Sequence, residues 1–388
     1  MRNRPEKVSR PSSEPLLRRS PQIEAGHREP EGSTQEELMR NSEAPLSAGE
    51  YELEILKQVS RSFALTIPQL PPSLQKTVTN AYLVCRIVDT IEDDESLSLD
   101  QKRFFFGEFI KVLNGQGSPK TFADALYPLL SGRTLPAERE LIGNTPAIIQ
   151  NTLTFSPKQQ GAIKRCATTM AQGMLTFQKI KSPVGLKDLR EIHCYCYHVA
   201  GNVGEMLTEL FCDYSPEMSQ DRERLLPLAV PFGQGLQMTN ILKDLWEDKN
   251  SGACWLPRDV FQKAGYDLKN LSPGQYTERF GQGLAVLIGL SRAHLESALA
   301  YTLMIPAHET GIRKFCLWAI GMALFTLRKI NKKRNYTSGQ EVKISHRTLK
   351  AIILVTHITL RNNFLLKVLF HLTARGLPKF EGKAGDRR

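Results

Sequence analysis

From residue 47 onward the apolar residues recur at helical spacing. Tyr51, Leu53, Ile55, Leu56 and Val59 open the pattern; Leu74, Val78, Ala81, Tyr82, Cys85 and Val88 fall on one stripe, as do Ile163, Cys166, Met170, Met174 and Phe177. Intervals of three and four put such residues on one face of an α-helix, and no segment sustains the period of two that a half-buried strand requires. The pattern therefore predicts an all-α fold. Ser47, followed three residues later by Glu50, has the form of a capping box and marks the expected start of the folded part. No Gly/Ser/Pro-rich linker and no internal repeat divides the chain beyond that point, so one large helical domain is expected.

The flanks read differently. Residues 1–46 hold six prolines, eight Lys+Arg and eight Glu with almost no aliphatic cluster, a composition that cannot offset the entropy of ordering, and a disordered tail is predicted there. The longest apolar stretch, Ala351 to Leu372, is broken by His357, Arg361, Asn362, Asn363 and Lys367, which leaves it short of the roughly 18 uncharged residues a spanning helix needs. No membrane-crossing segment is predicted. The expected organisation is a tail over 1–46, a catalytic domain over 47–350 and a basic amphipathic segment over 351–388.

Composition adds a charge argument. Residues 313–388 carry 17 Lys+Arg against three acids, Glu341, Glu381 and Asp386, a balance of +14 against +11 for the whole chain. The positive excess is thus C-terminal and points to an anionic partner. Its basic residues lie among Ile352, Ile353, Leu354, Leu360, Leu365, Leu366 and Leu369, the mixture of an interfacial helix, and no nucleic-acid motif accompanies them. An anionic membrane surface is the expected partner and nucleic acid is not. Seven scattered cysteines without a C-x-x-C pair indicate neither a disulfide framework nor a zinc ribbon, and fit a reducing, cytoplasmic location.

Two acidic clusters lie inside helical stripes. In the first, Asp89-Thr90-Ile91-Glu92-Asp93-Asp94-Glu95, the carboxylates of Asp89 and Asp93 are four apart and share a helix side, with Glu92 beside them. In the second, Gln237, Asn240, Asp244 and Asp248 form an oxygen-bearing edge on a single predicted helix. Carboxylates spaced this way repel, and a hard cation such as magnesium, held by one or two of them together with substrate phosphates, would relieve the repulsion. Two such helices facing each other could hold a diphosphate ester between metal ions. Two solvated acidic helix ends are the alternative.

With these clusters in place the chain resembles the squalene and phytoene synthases, and within them the squalene synthase branch. Four segments carry the resemblance: Val59-Ser60-Arg61-Ser62-Phe63; Tyr82 through Asp94; Tyr195-Cys196-Tyr197-His198-Val199-Ala200-Gly201-Asn202-Val203-Gly204; and Leu236 through Pro257. It implies a helical bundle of the class I isoprenoid synthase type around a central cavity. It also implies head-to-head condensation of two farnesyl diphosphates to presqualene diphosphate, then NADPH-dependent reductive rearrangement to squalene. On that resemblance Asp89, Glu92, Asp93, Asn240, Asp244 and Asp248 would hold magnesium, and Ser60, Arg61, Ser62, Phe63, Tyr82, Arg86, Gln237, Asn240 and Lys243 would contact substrate. Tyr195 would be the active-site tyrosine, and Phe63, Met170 and Met174 are candidate channel walls. Val342-Lys343-Ile344 resembles the branch's segment near the nicotinamide cofactor, with Lys343 the candidate phosphate contact.

Two positions depart from the family pattern: Ala253 stands where an arginine is common, and Ser345 where a basic residue is expected. Gly201 and Gly204, each costly in a helix, predict a close neighbour. His193, Cys194, Cys196 and His198 diverge on a helix and are not expected to bind zinc; Gly233-Gln234-Gly235 and Gly281-Gln282-Gly283 lack a dinucleotide fingerprint and are expected to be packing glycines. The competing readings are a phytoene or dehydrosqualene synthase that stops before reduction and a non-catalytic relative acting as a binding or assembly factor. A monomer is expected, peripheral on the cytoplasmic membrane face.

Overall fold

The computed structural model describes residues 48–60 and 62–381; the expected tail, Ser47 of the capping box and Arg61 lie outside them. Among the described residues there are helices and short loops and no strand, the one β feature being a bridge between Leu186 and Pro257. The all-α expectation holds.

The chain enters through α1 (Ala48–Val59) and the single turn α2 (Phe63–Thr66), then runs through α3 (Pro72–Asp93), α4 (Leu99–Leu113), α5 (Pro119–Leu126), α6 (Pro136–Gly143), α7 (Thr145–Thr152) and α8 (Pro157–Ile180). Capping boxes start α4 (Ser98 with Gln101) and α8 (Ser156 with Gln159), which satisfies the free N–H groups of their first turns. A buried polar knot ties this half together. Asn80, on α3, donates to Glu52 of α1 at 2.6 Å and to the Ile148 carbonyl of α7 at 2.9 Å, while Thr152 donates to Asn80 at 2.8 Å.

The second half contains α9 (Leu189–Cys196), α10 (Asn202–Tyr214), α11 (Pro216–Gln220), α12 (Arg222–Lys243), α13 (Leu245–Asn250), α14 (Arg258–Lys263), α15 (Glu278–Met304), α16 (Thr310–Lys332), α17 (Gly339–Val342), α18 (His346–Thr359) and α19 (Asn363–Ala374). Tyr197–Gly201, expected as ordinary helix, is instead a π-helical turn between α9 and α10. Helix α12 runs through the centre and packs against α10, α15 and α16. The close approach inferred from the glycines is real: a Cβ on Gly204 would lie 2.3 Å from the Ala229 carbonyl oxygen, and one on Gly233 2.1 Å from that of Ala200. Only glycine lets the two backbones meet there.

The C-terminal part is continuous with the rest of the described fold. The boundary placed at 350/351 falls inside α18, and the segment is built into the body of the protein: Ile352, Thr356, Leu360, Leu366 and Phe370 are buried. Arg313, 1% exposed, donates to the carbonyls of Ile305 (2.9 Å) and Leu360 (2.5 Å) and to Asn363 Oδ1 (2.6 Å), clamping the α18–α19 turn onto the α15–α16 turn. Among the described residues one helix, α16, is long and apolar enough to cross a membrane by length and composition, and 61% of its apolar window is buried against neighbouring helices. On the opposite side of the hairpin Leu354, Ile358, Phe364 and Leu372 are 57–73% exposed.

Candidate active site

Helix α3 delivers the first acidic cluster. Its periodicity buries Leu83, Val84, Ile87, Val88 and Ile91 and leaves Tyr82, Arg86, Asp89, Glu92 and Asp93 on the remaining face. The helix stops at Asp94, whose side chain turns away from the cluster to accept from the N–H groups of Ser96 (2.8 Å) and Ser131 (2.7 Å) and from the Thr134 hydroxyl (2.6 Å). Burial alone would raise the Asp94 pKa, but those bonds hold it below the ordinary carboxylate value. This acid closes the helix end and is not part of the open cluster.

The open carboxylates show the reverse. Burial, reinforced by Asp93 and Glu138 and opposed by Arg86, pushes Asp89 up to about 7. Burial and Asp93 push Glu92 to about 8, although the Gln178 amide donates to it. Asp248, from the second cluster, reaches about 7 through burial, Asp244 and Asp93, with Lys181 opposing. Asp93 on α3 thus lies near enough to Asp248 on α13 to add to the rise of its pKa. Asp89 of α3 and Asn240 of α12 line one cavity.

The second edge is not one unbroken helix as expected. α12 ends at Lys243 and α13 begins at Leu245, with Asp244 at the junction (φ −96°, ψ 14°). The backbone bonds continue through it, Asp244 N–H to Asn240 O at 2.8 Å and Asp248 N–H to Asp244 O at 2.9 Å, so the Asn240-Asp244-Asp248 edge survives. Lys243 pairs with Asp244 at 2.9 Å. Behind this edge the Trp246 indole donates to the Tyr336 carbonyl at 2.7 Å and the Gly339 N–H donates to Glu247 at 2.9 Å. Lys343 follows directly on that strap, exposed, and its side chain lies outside the lining of the neighbouring cavity.

Beside the acidic clusters lies that apolar cavity, of about 330 Å³. Arg86, Asp89, Gln237 and Asn240 form its polar end; Phe63, Met170, Val199, Leu207, Phe232 and Phe315 are among its walls. Phe63 and Tyr82 pack at 5.2 Å, and the Tyr82 hydroxyl donates to the Val59 carbonyl at 3.3 Å. Ser60 accepts from the Phe63 N–H at 3.0 Å, while Ser62 is exposed. Met174, expected in the channel, is buried in the core and does not line the cavity. Tyr195 also lies outside that lining, on the acidic side, where burial first and then Glu92, Cys196, Asp248 and Asp93 hold its phenol well above its ordinary pKa.

The donor set suits a hard cation: carboxylate oxygens crowded together with raised pKa values. Among the described residues no three His, Cys, Asp or Glu groups converge on one point. Of the His193 set, His193 packs on His294 (5.2 Å), while His198 Nδ1 bonds the Cys194 carbonyl at 2.8 Å and lies 3.7 Å from the Cys194 sulfur. Near the departures at Ala253 and Ser345, Arg258 donates to the Leu186 carbonyl at 3.3 Å and Ser345 caps α18. Glu138, Gln178 and Lys181 carry no signal in the sequence because they come from segments without a motif, and Trp255, although it lies within the Leu236–Pro257 segment, is not singled out by it.

Comparison with known proteins agrees with this architecture. The family model for squalene/phytoene synthase matches residues 56–348. The squalene synthase of Saccharomyces cerevisiae is 30% identical over 305 residues, covering 78% of this chain and 65% of that protein; that of Schizosaccharomyces pombe is 28% identical over 280 residues, covering 71% and 58%. The chain thus spans about three-fifths of the length of these relatives. Among solved structures, TcSQS with a bound ligand superposes with a TM-score of 0.68 at 23% identity, covering 88% of this chain and 95% of that one. A dehydrosqualene synthase with a ligand gives 0.59 at 20% identity, covering 81% and 96%. At these identities the likeness is one of fold.

Proposed function

Because the chain belongs to the squalene/phytoene synthase family, we propose that it is a squalene synthase, condensing two farnesyl diphosphates to presqualene diphosphate and reducing this with NADPH to squalene. The observation that carries the reading is that Asp89 of the first acidic cluster and Asn240 of the second meet at the polar end of a cavity whose walls are apolar. A molecule with a charged diphosphate and a long hydrocarbon chain fits both halves. Magnesium held by Asp89, Glu92, Asp93, Asn240, Asp244 and Asp248 would supply Lewis acidity to the departing diphosphate.

The chain's own residues do the rest. Arg86 and Lys243 offer cationic donors to phosphate oxygens at the polar end. Phe63, Phe232 and Phe315 exclude water from the allylic cation left behind. The Tyr195 hydroxyl keeps its proton throughout the neutral range, and so serves as a neutral donor close to the carboxylates. Lys343, on the strap behind Asp244, is the residue offered to an NADPH phosphate.

The exposed apolar side of α18 and α19 supports the further proposal that the enzyme rests on an anionic membrane, where a hydrocarbon product would be received. Between Glu341 and Glu381 there is no acidic residue to repel such a surface.

The reaction is tested with the purified chain, farnesyl diphosphate and magnesium, with and without NADPH, and mass spectrometry of the products. Squalene with NADPH and presqualene diphosphate without it is the expected outcome. The same dehydrogenated hydrocarbon under both conditions would identify a dehydrosqualene synthase, and no product at all would leave the binding-factor reading.

A further inference from the structure

The loop that comes after the second acidic cluster is built against the loop that precedes α9. The Cys254 N–H donates to the Ser182 carbonyl, the Leu186 N–H to the Leu256 carbonyl and the Arg258 N–H to the Leu186 carbonyl, each at 2.9 Å. These bonds form the parallel bridge between Leu186 and Pro257. Gly185 makes the approach possible. Its φ of +95° is left-handed, and a Cβ there would sit 2.5 Å from the Leu256 carbonyl oxygen.

The result of this pairing is that Trp255 is pressed flat onto Tyr195. The two rings are 4.2 Å apart and 8° from parallel, and Phe177 meets the Tyr195 ring edge-on at 5.2 Å and 73°. Both members of the stack are less than a tenth exposed. Tyr195 needs such support because it lies in the last turn of α9, directly before the π-helical turn at Tyr197–Gly201, where the regular backbone ladder is interrupted. A plate on one face and an edge on another block rotation about the ring's two side-chain bonds. What they leave fixed is the direction of the hydroxyl.

We propose that Trp255 is a positioning residue for Tyr195, setting where its phenolic hydroxyl points without itself touching substrate. This rests on the reading of Tyr195 as the active-site tyrosine. The stack is aromatic on both sides, so a flat ring at 255 should suffice, while an aliphatic side chain of similar bulk should not.

The test is a double-mutant cycle in the full chain. Trp255→Leu should lower kcat about ten- to hundredfold, the penalty typical of a misplaced reacting group, with KM for farnesyl diphosphate within about threefold of wild type. Trp255→Phe should retain most of kcat. In a Tyr195→Phe background, adding Trp255→Leu should change kcat less than about twofold, because the group it positions is already gone. Calorimetric binding of magnesium and inorganic pyrophosphate should be equal in all five proteins, which reports folding of the site independently of turnover. Additive losses, or a Phe variant as slow as the Leu variant, would overturn the positioning role alone. Full turnover by Tyr195→Phe, or no turnover by wild type, would overturn the reading beneath it and the proposal together.

Discussion

The guanidinium of Arg86 donates to the carboxylate of Glu138, which comes from α6 and belongs to none of the motifs. On its own helix Arg86 is 3.6 Å from Asp89. Glu138 therefore draws the arginine partly away from a carboxylate assigned to magnesium, and it adds negative charge beside that carboxylate. Glu138→Gln should reverse both effects. Arg86 closes on Asp89, and the local charge becomes less attractive to a cation. The magnesium concentration for half-maximal turnover should rise roughly tenfold, as for other outer partners of metal ligands, with the melting temperature little changed. A magnesium titration of turnover checks this; an unaltered requirement would reduce Glu138 to a packing partner of Arg86.

Asp89→Asn and Asp248→Asn address the ligands themselves. Their carboxylates are crowded and partly buried, so removing either charge relieves repulsion in the metal-free protein. Without divalent cations both variants should melt at or above the wild-type temperature, while turnover falls by at least about a hundredfold if the metal and diphosphate are no longer held. Magnesium with pyrophosphate should raise the melting temperature of the wild type and have much less effect on the variants. Near-normal turnover in either variant contradicts the metal-site assignment.

Glu52 predicts a pH effect far from the site. It is 2% exposed, and burial pushes it up to about 7, with Asn80 and Asn151 opposing. A carboxyl whose folded pKa lies above its unfolded value binds its proton more tightly in the native state. Its ionisation therefore costs nothing below about pH 4, and stability is lost as pH rises from there through 7. Glu52→Gln preserves an acceptor for the Asn80 amide and abolishes the loss. It should stabilise the protein by about 1–3 kcal/mol at pH 8 and leave it nearly unchanged at pH 4. Denaturant melts of both proteins at the two pH values measure the difference, and equal stability at pH 8 would show that Glu52 is solvated or otherwise compensated.

How much the chain alone reveals depends on how local the signal is. The helical fold was legible because apolar spacing records which face of each helix is buried, and Asp89 and Asp93 were legible as neighbours because four residues make one turn. The break at Asp244 was not, since the backbone bonds continue through it and the acids keep their spacing. The π-helical turn at Tyr197–Gly201 leaves no mark in periodicity over so few residues. Glu138 and Gln178 reach the site across long sequence separations, and Trp255, although close in sequence to Asp248, stacks on Tyr195 sixty residues before it, so nothing near these residues in the chain announces their partners. The place of residue 350 inside α18 is hidden for the same reason: the charge of the C-terminal segment is visible in sequence, but the clamp from Arg313 to Leu360 is not.

That clamp determines how membrane attachment must be tested. Cutting the chain after Lys350 would split α18 and leave the buried Arg313 without its partners at Leu360 and Asn363, so lost attachment could reflect damage to the fold. Substitution on the outer side avoids this. Ile358 is 73% and Phe364 71% exposed, so charges there disturb little of the interior. Each apolar side chain inserted into a bilayer contributes about 1.5–3 kcal/mol, and each basic residue near an anionic leaflet up to ~1 kcal/mol. The Ile358→Glu, Phe364→Glu double variant should therefore lose at least about tenfold in partitioning onto vesicles of mixed phosphatidylglycerol and phosphatidylcholine, with turnover of detergent-dispersed substrate preserved. On pure phosphatidylcholine the wild type itself should bind more weakly, and salt should weaken its binding to the anionic vesicles. If the double variant sediments with anionic vesicles as fully as the wild type does, the α18–α19 face is not what holds the protein there.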